Sequence, residues 1–288
     1  MASMDIFTSN AFSMVSLTAA LNDVPHIPGR LGQMGLFEEA GVATTTVAIE
    51  NQANTLALVP TTPRGAPPTQ NTPDRRTLRN LDVVRLAMSD NIMADEVQSI
   101  RAFGSEDSTK TLQSEVTRRQ ARIAQLFDAT LEHFRIGAIK GIVVDSDGTT
   151  QLHNLFTIFG VAAQTEVGFD LAAASPASGA LRTDCSAVIR TIEDELGGLP
   201  YSGIHAMCSA TFFDALIAHT ETRESFVHQE GFRLRERTAR RELFFGGITF
   251  EEYRGKVGAI DYIADDKCRI FPTGVPGNFI TRFGPADY

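Results

Sequence analysis

Between about residues 105 and 135 the apolar side chains Leu112, Val116, Ile123, Phe127, Leu131 and Phe134 recur at intervals of three, four and seven, the repeat of one helix face. At 1.5 Å per residue this run predicts a helix roughly 45 Å long. That is long for a compact domain. Ser105, followed by Glu106 and Asp107, makes a good helix start, and Gly137 or Gly141 offers a stop. The opposite face carries Glu115, Arg118, Arg119, Arg122, Asp128, Glu132 and Arg135, a pattern that suits either a solvated surface or a face lying along a partner.

The residues before this helix read as projections. Residues 1–40 are apolar but weakly periodic and are broken by Pro25, Pro28, Gly29, Gly32 and Gly35, so they predict an arm that lies on something else. Two strand-like runs follow, TTTVAIE over residues 44–50 and TLALVP over residues 55–60, and together they predict a hairpin. Pro60, Pro63, Pro67, Pro68 and Pro73 then impose an extended path. An isolated two-stranded ribbon is marginal in water and needs a neighbour to lie on. This stretch concentrates Arg64, Arg75, Arg76, Arg79 and Arg85 against Asp74 and Asp82, which predicts docking on an acidic neighbouring copy, with a solvated basic loop as the alternative.

The chain after the helix alternates strand-like and helical segments. GIVVD is a strand, residues 145–148 a turn, and residues 181–196 a helix closed by Gly197, Gly198 and Pro200. IHAMC (204–208) is a strand, FFDALIAH after Ser209 a helix, and LFFGGITFEEYRG, DYIA and RIFPTGV are strand-like. The fold class this predicts is α+β. The 288 residues, 43% of them hydrophobic, can build a real core. The formal charge of −9 argues against a dedicated nucleic-acid binder. No run is long and apolar enough for a membrane span, and the N-terminus lacks the basic region of a signal peptide, so the chain is expected to be made and kept in a cytoplasm.

Residue usage narrows the chemistry. Of the 26 basic side chains only Lys110, Lys140, Lys256 and Lys267 are lysine; the arginine excess suits flat, partly desolvated contacts at interfaces, or reflects codon usage in a GC-rich genome. Cys185, Cys208 and Cys268 are too few and too scattered for a disulfide framework or a zinc site and read as small buried hydrophobes. His26, His133, His153, His205, His219 and His228 have no metal-binding spacing, and His219 falls at a helix end, where its charge suits the dipole. No cofactor is expected.

The most enzyme-like string is GIVVDSDGTT over residues 141–150. An apolar strand ending in Asp-x-Asp-Gly-Thr matches the first motif of haloacid-dehalogenase-like hydrolases, in which the first Asp, here Asp145, attacks phosphorus, the second, Asp147, acts as acid and base, and Mg²⁺ neutralises the phosphate. Ser209, Lys256 and the Asp265–Asp266 pair fall in the order such enzymes use. Against this, some 140 residues of unrelated character precede a motif that normally opens the domain. Asp-x-Asp-Gly is also an ordinary hairpin turn.

A broader likeness covers nearly the whole chain in order. FTSNAFSMVSLTAALNDVPHIPGRLGQMGLFEEAGVATTTVAIE, LALVPTTPRGAP, FFDALIAHTETRESF, FGGITFEEYRGKVG and FPTGVPGNFITRFGPADY resemble the major capsid protein E family of tailed phages, the lambda type. The resemblance implies a Hong Kong 97-type (HK97-like) capsid fold: an N-terminal arm at 1–40, an E-loop region at 41–104, a peripheral domain with its spine helix at 105–170, an axial domain at 171–280, and a return to the peripheral domain at 281–288. It implies a non-enzymatic major head protein that assembles into hexamers and pentamers of an icosahedral shell around double-stranded DNA. Assembly would take place in the host cytoplasm, with a scaffolding protein, a portal and a decoration protein as partners.

Arg64, Arg75, Arg76, Arg79, Arg85, Arg118, Arg119 and Arg122 are then the candidates for contacts between subunits. Some capsids of this fold are welded by a Lys–Asn bond with its lysine in the E-loop; no lysine precedes Lys110 here, which closes that route. Members of the family continue beyond the PADY string. An encapsulin-like cellular shell of the same fold is the third reading, beside the Mg²⁺-dependent phosphohydrolase.

Overall fold

The computed structural model describes residues 29–52, 76–93, 108–173, 177–229, 242–257 and 260–286. In chain order the elements are α1 (Arg30–Met34), β1 (Glu38–Gly41), β2 (Thr46–Gln52), β3 (Arg76–Asp82), α2 (Ser108–Lys140), β4 (Ile142–Val144), β5 (Gln151–Asn154) and α3 (Leu155–Phe159). They continue with α4 (Ala180–Leu196), β6 (Gly203–Cys208), α5 (Ala210–Ala218), α6 (Thr220–Gln229), β7 (Glu242–Phe245), β8 (Ile248–Glu252), β9 (Lys256–Val257), β10 (Ile260–Asp261), β11 (Cys268–Thr273) and β12 (Ile280–Phe283). The chain is a mixture of helix and strand.

Helix α2 has 33 residues and so spans about 50 Å. It passes through Gly137 and stops at Gly141, which takes the left-handed conformation (φ 85°) that releases the chain into β4. The expected start at Ser105 lies outside the described residues.

The centre of the molecule is a four-stranded sheet in the order β11-β6-β8-β7, with β6 antiparallel to β11 and parallel to β8. Alternation sends Ile204, Ala206 and Cys208 of β6 to one face, where Ile248 and Phe250 of β8 join them. Leu181 and Cys185 of α4 and Phe213 and Leu216 of α5 cover that face. The opposite face presents Met207 and Phe271, packed against Leu31 of α1, Ile136 of α2, and Tyr262 and Ile263. Burial on both faces explains why β6 reads as a near-continuous apolar run. DYIA differs from its expected strand: only Ile260–Asp261 pairs, with β9, and Tyr262 and Ile263 instead fill the second core cluster.

Small satellites complete the fold. β1 pairs in parallel with β12, bringing residues 280–283 back beside the N-terminal segment. β4 and β5 form a hairpin directly beyond α2. β2 pairs antiparallel with β3 over the full seven residues of each, Thr46 opposite Asp82 and Gln52 opposite Arg76. The ribbon's partner strand is thus Arg76–Asp82, while the expected partner at 55–60 lies outside the described residues.

Candidate functional site

Asp145 and Asp147 occupy the hairpin between β4 and β5. The Asp145 N–H donates to the Thr150 carbonyl at 2.8 Å and Gly148 takes a positive φ of 70°. The Asp147 carboxylate accepts the Thr150 hydroxyl at 2.6 Å and the Thr149 and Thr150 backbone N–H groups at 2.9 Å each. The Thr150 hydroxyl first, then those amides, hold Asp147 well below the usual carboxylate range. A carboxylate so engaged is a turn cap, not a proton shuttle.

The other parts of the hydrolase pattern are dispersed. β4 pairs with β5, whereas Ser209 follows β6 of the four-stranded sheet. Ser209 caps α5 by accepting the Phe212 N–H at 3.3 Å, and the Asp266 N–H donates to the Thr211 hydroxyl at 2.9 Å. The structure does not assemble the phosphohydrolase pattern: Asp145 and Ser209 follow strands of separate sheets, where Asp145 accepts the Ser146 N–H and Ser209 the Phe212 N–H. Asp147→Ala is expected to lower the unfolding temperature by no more than about 3 °C and to leave assembly intact, as thermal melts and particle counts would show.

Among the described residues, the candidate contact arginines lie on the ribbon, the segment after it, and α2. On the ribbon Val47, Ile49, Arg79 and Leu81 point to one half-buried face, while Leu78 remains 60% exposed on the other. In the segment after the ribbon, Leu86, Met88 and Met93 are also exposed. Arg79 lies against Gly160 at the end of α3, its guanidinium within 3.3 Å of where a Cβ would stand. Arg85 is exposed, Arg76 opens β3, and Arg64 and Arg75 fall outside the described residues.

Arg118 and Arg119 share Glu115. Arg118 reaches it at 2.5 Å and Arg119 at 3.2 Å, and these two bonds, Arg118's first, hold the Glu115 carboxyl below its ordinary value. Arg119 also donates to the Asp90 carboxylate at 3.1 Å and the Asn91 carbonyl at 3.0 Å, so it fastens the segment following the ribbon to the helix. Arg118 and Arg122 remain exposed on α2.

Two charged residues expected on the polar face of α2 are buried instead. Glu132 is 4% exposed and Arg135 9%, because α1 and the loop after it lie over them. Glu132 Oε1 accepts the Leu31 N–H at 2.9 Å and the Tyr253 hydroxyl at 3.3 Å. Arg135 pairs with Glu39 and stacks over the Phe37 ring.

A second clamp joins α1 to the sheet. Arg30 bonds Glu251 of β8 through Nε at 2.8 Å and through its second terminal nitrogen at 2.7 Å, and also reaches Glu242 at 3.1 Å. His205 Nε2 lies 3.0 Å from the same Glu251 oxygen. Burial would push the Glu251 carboxyl up, but the bonds with His205 and Arg30 outweigh it and hold the carboxyl below its ordinary value. No local sequence signal marks these residues; only the fold brings positions 30, 205 and 251 together.

Among the described residues no His, Cys, Asp and Glu cluster could hold a metal ion, and no helix is long and apolar enough to cross a membrane. The comparisons with known proteins point to an assembly. The family model for phage major capsid protein E matches residues 13–288. A major capsid protein of Pseudomonas phage KPP10 is 27% identical over 302 aligned residues, covering 96% of this chain and 84% of its own length. The major capsid protein of Salmonella phage Felix O1 is 25% identical, covering 85% of this chain and 70% of its own length.

Proposed function

The chain belongs to the phage major capsid protein E family, and from that premise we propose that it is the repeating unit of a phage head, a structural protein that closes on copies of itself around double-stranded DNA. The observation that carries this reading is a family match running from residue 13 to residue 288. The phage origin of both relatives favours a genome container over a cellular compartment.

The finer reading is a Hong Kong 97-type protomer. The ribbon of β2 and β3 is its E-loop, α2 its spine helix, and the four-stranded sheet with α4 and α5 its axial domain. Three features support it: a two-stranded ribbon of seven paired residues a strand, a helix of about 50 Å, and a C-terminal strand returning to the N-terminal segment. Head-to-tail contacts between such protomers close into rings, hexamers and pentamers, and the projections join rings into a shell. Each contact can be weak because every subunit makes many. A scaffolding protein, a portal and a decoration protein are the partners this architecture calls for. The acidic charge of −9 suits a wall that confines DNA without gripping it.

In this reading the exposed arginines of α2 and the segment after the ribbon face acidic groups of a neighbour. Arg122→Glu, on the exposed face of α2, is expected to unfold at the wild-type temperature yet raise the concentration needed for assembly roughly tenfold, an effect of about 1.4 kcal/mol. Static light scattering against protein concentration measures it. Unchanged assembly would remove this side chain from the interface.

A further inference from the structure

Cys208 closes β6 and Cys268 opens β11, and the register sets them directly opposite each other. Just past them the Ser209 N–H donates to the Lys267 carbonyl at 3.0 Å, so the cysteine pair occupies a position without its own ladder hydrogen bonds. In such positions opposed Cα atoms approach to about 4.5 Å, inside the window of about 4.4–6.8 Å that a disulfide bridges. The two Sγ atoms are 3.0 Å apart. Cys185, the third thiol, is buried against Gly246, where a Cβ would come within 2.7 Å of its own.

We propose that Cys208 and Cys268 are a latent cross-strand disulfide, open while the chain folds and assembles in a reducing cytoplasm and closed once the particle meets an oxidising medium. The pairing rests on this geometry alone; only its timing rests on the capsid reading. The two sulfurs have unequal access, which fixes the order of events. Cys268 is partly exposed, whereas Cys208 is wholly buried, and burial, then the neighbouring Cys268 sulfur, push the Cys208 thiol far above its usual value.

With a small-molecule disulfide as oxidant, Cys268 loses its proton and its sulfur attacks one sulfur of the reagent. The reagent's S–S bond breaks, and the departing thiolate takes up that proton. Cys208 then attacks the mixed disulfide at the Cys268 sulfur, and the second reagent thiolate leaves with the Cys208 proton. Two protein thiols are oxidised and one reagent disulfide is reduced to two thiols. The new bond ties positions 60 residues apart, so the outer strand β11 cannot peel from β6 without α5, α6, β7 and β8 following.

The test uses the purified full-length chain, assembled or not, incubated with oxidised glutathione and then alkylated. The expected product is lighter by about 2 Da before alkylation, yields a Cys208–Cys268 peptide, leaves Cys185 free, and unfolds on the order of 5–10 °C higher until reductant is added. Cys208→Ser should stop at a glutathione adduct on Cys268 with no rise in unfolding temperature. Cys268→Ser, at the more exposed position, should resist the reagent altogether. A lasting adduct on wild-type Cys268, a link through Cys185, or no loss of thiols would overturn the proposal. These readouts do not depend on particle formation, so their failure is distinct from failure of the capsid reading.

Discussion

Replacing Arg30 by methionine is expected to destabilise the protein by about 3 kcal/mol, because Glu251 then stays buried with only part of the charge that compensates it. The Arg30 side chain keeps 21% of its surface exposed and Glu251 only 3%, which sets the effect at the lower end for a broken buried pair. Thermal unfolding should fall by roughly 6–12 °C. Adding Glu251→Gln to Arg30→Met should recover part of the loss, since the under-compensated buried charge goes with it, and the shortfall from additivity measures the coupling.

The same clamp predicts an acid limb. Glu251 is held below its ordinary value of 4.5, so the stability it contributes is complete above that pH and is lost as pH falls through its lower folded value. Arg30→Met should flatten this limb. Denaturant midpoints between pH 6 and pH 3 would measure it, and identical slopes in wild type and variant would contradict the clamp.

Gly29→Ala is the second large effect. Gly29 has φ −60° and ψ 170°, which alanine adopts freely, so any loss is steric. A Cβ there would stand 2.4 Å from Glu132 Cδ and 2.5 Å from Oε2. The buried carboxyl must swing away and give up the Leu31 amide and the Tyr253 hydroxyl. The expected cost is about 2–3 kcal/mol, with faster hydrogen exchange at the Leu31 amide. A change below about 0.5 kcal/mol would mean that the N-terminal segment is not seated on α2.

The features that sequence could reveal are local ones. The three- and four-residue apolar repeat of α2, the Asp145 to Gly148 turn and the helix after Ser209 each depend on residues within a few positions of one another. The pairing of β2 with β3 does not, since the prolines between them hide which run returns to the ribbon. Glu132 and Arg135 looked like members of a solvated charged face because nothing in their own helix reports that α1 covers them. The same holds for the Arg30, His205 and Glu251 clamp and for the two opposed cysteines, which only the sheet register joins. The arginines singled out as candidates were legible as an excess of charge. Arg119 is bound to Asp90 and Asn91 of its own chain, a contact that composition could not reveal.

This chain builds a shell from copies of itself, and light scattering with negative-stain microscopy of the purified protein, with and without a coexpressed scaffolding protein, would show it. The expected result is rings or closed particles, with Asp145→Asn assembling as wild type does. A strictly monomeric protein that hydrolyses a phosphate ester with Mg²⁺, and loses that activity on Asp145→Asn, would contradict it.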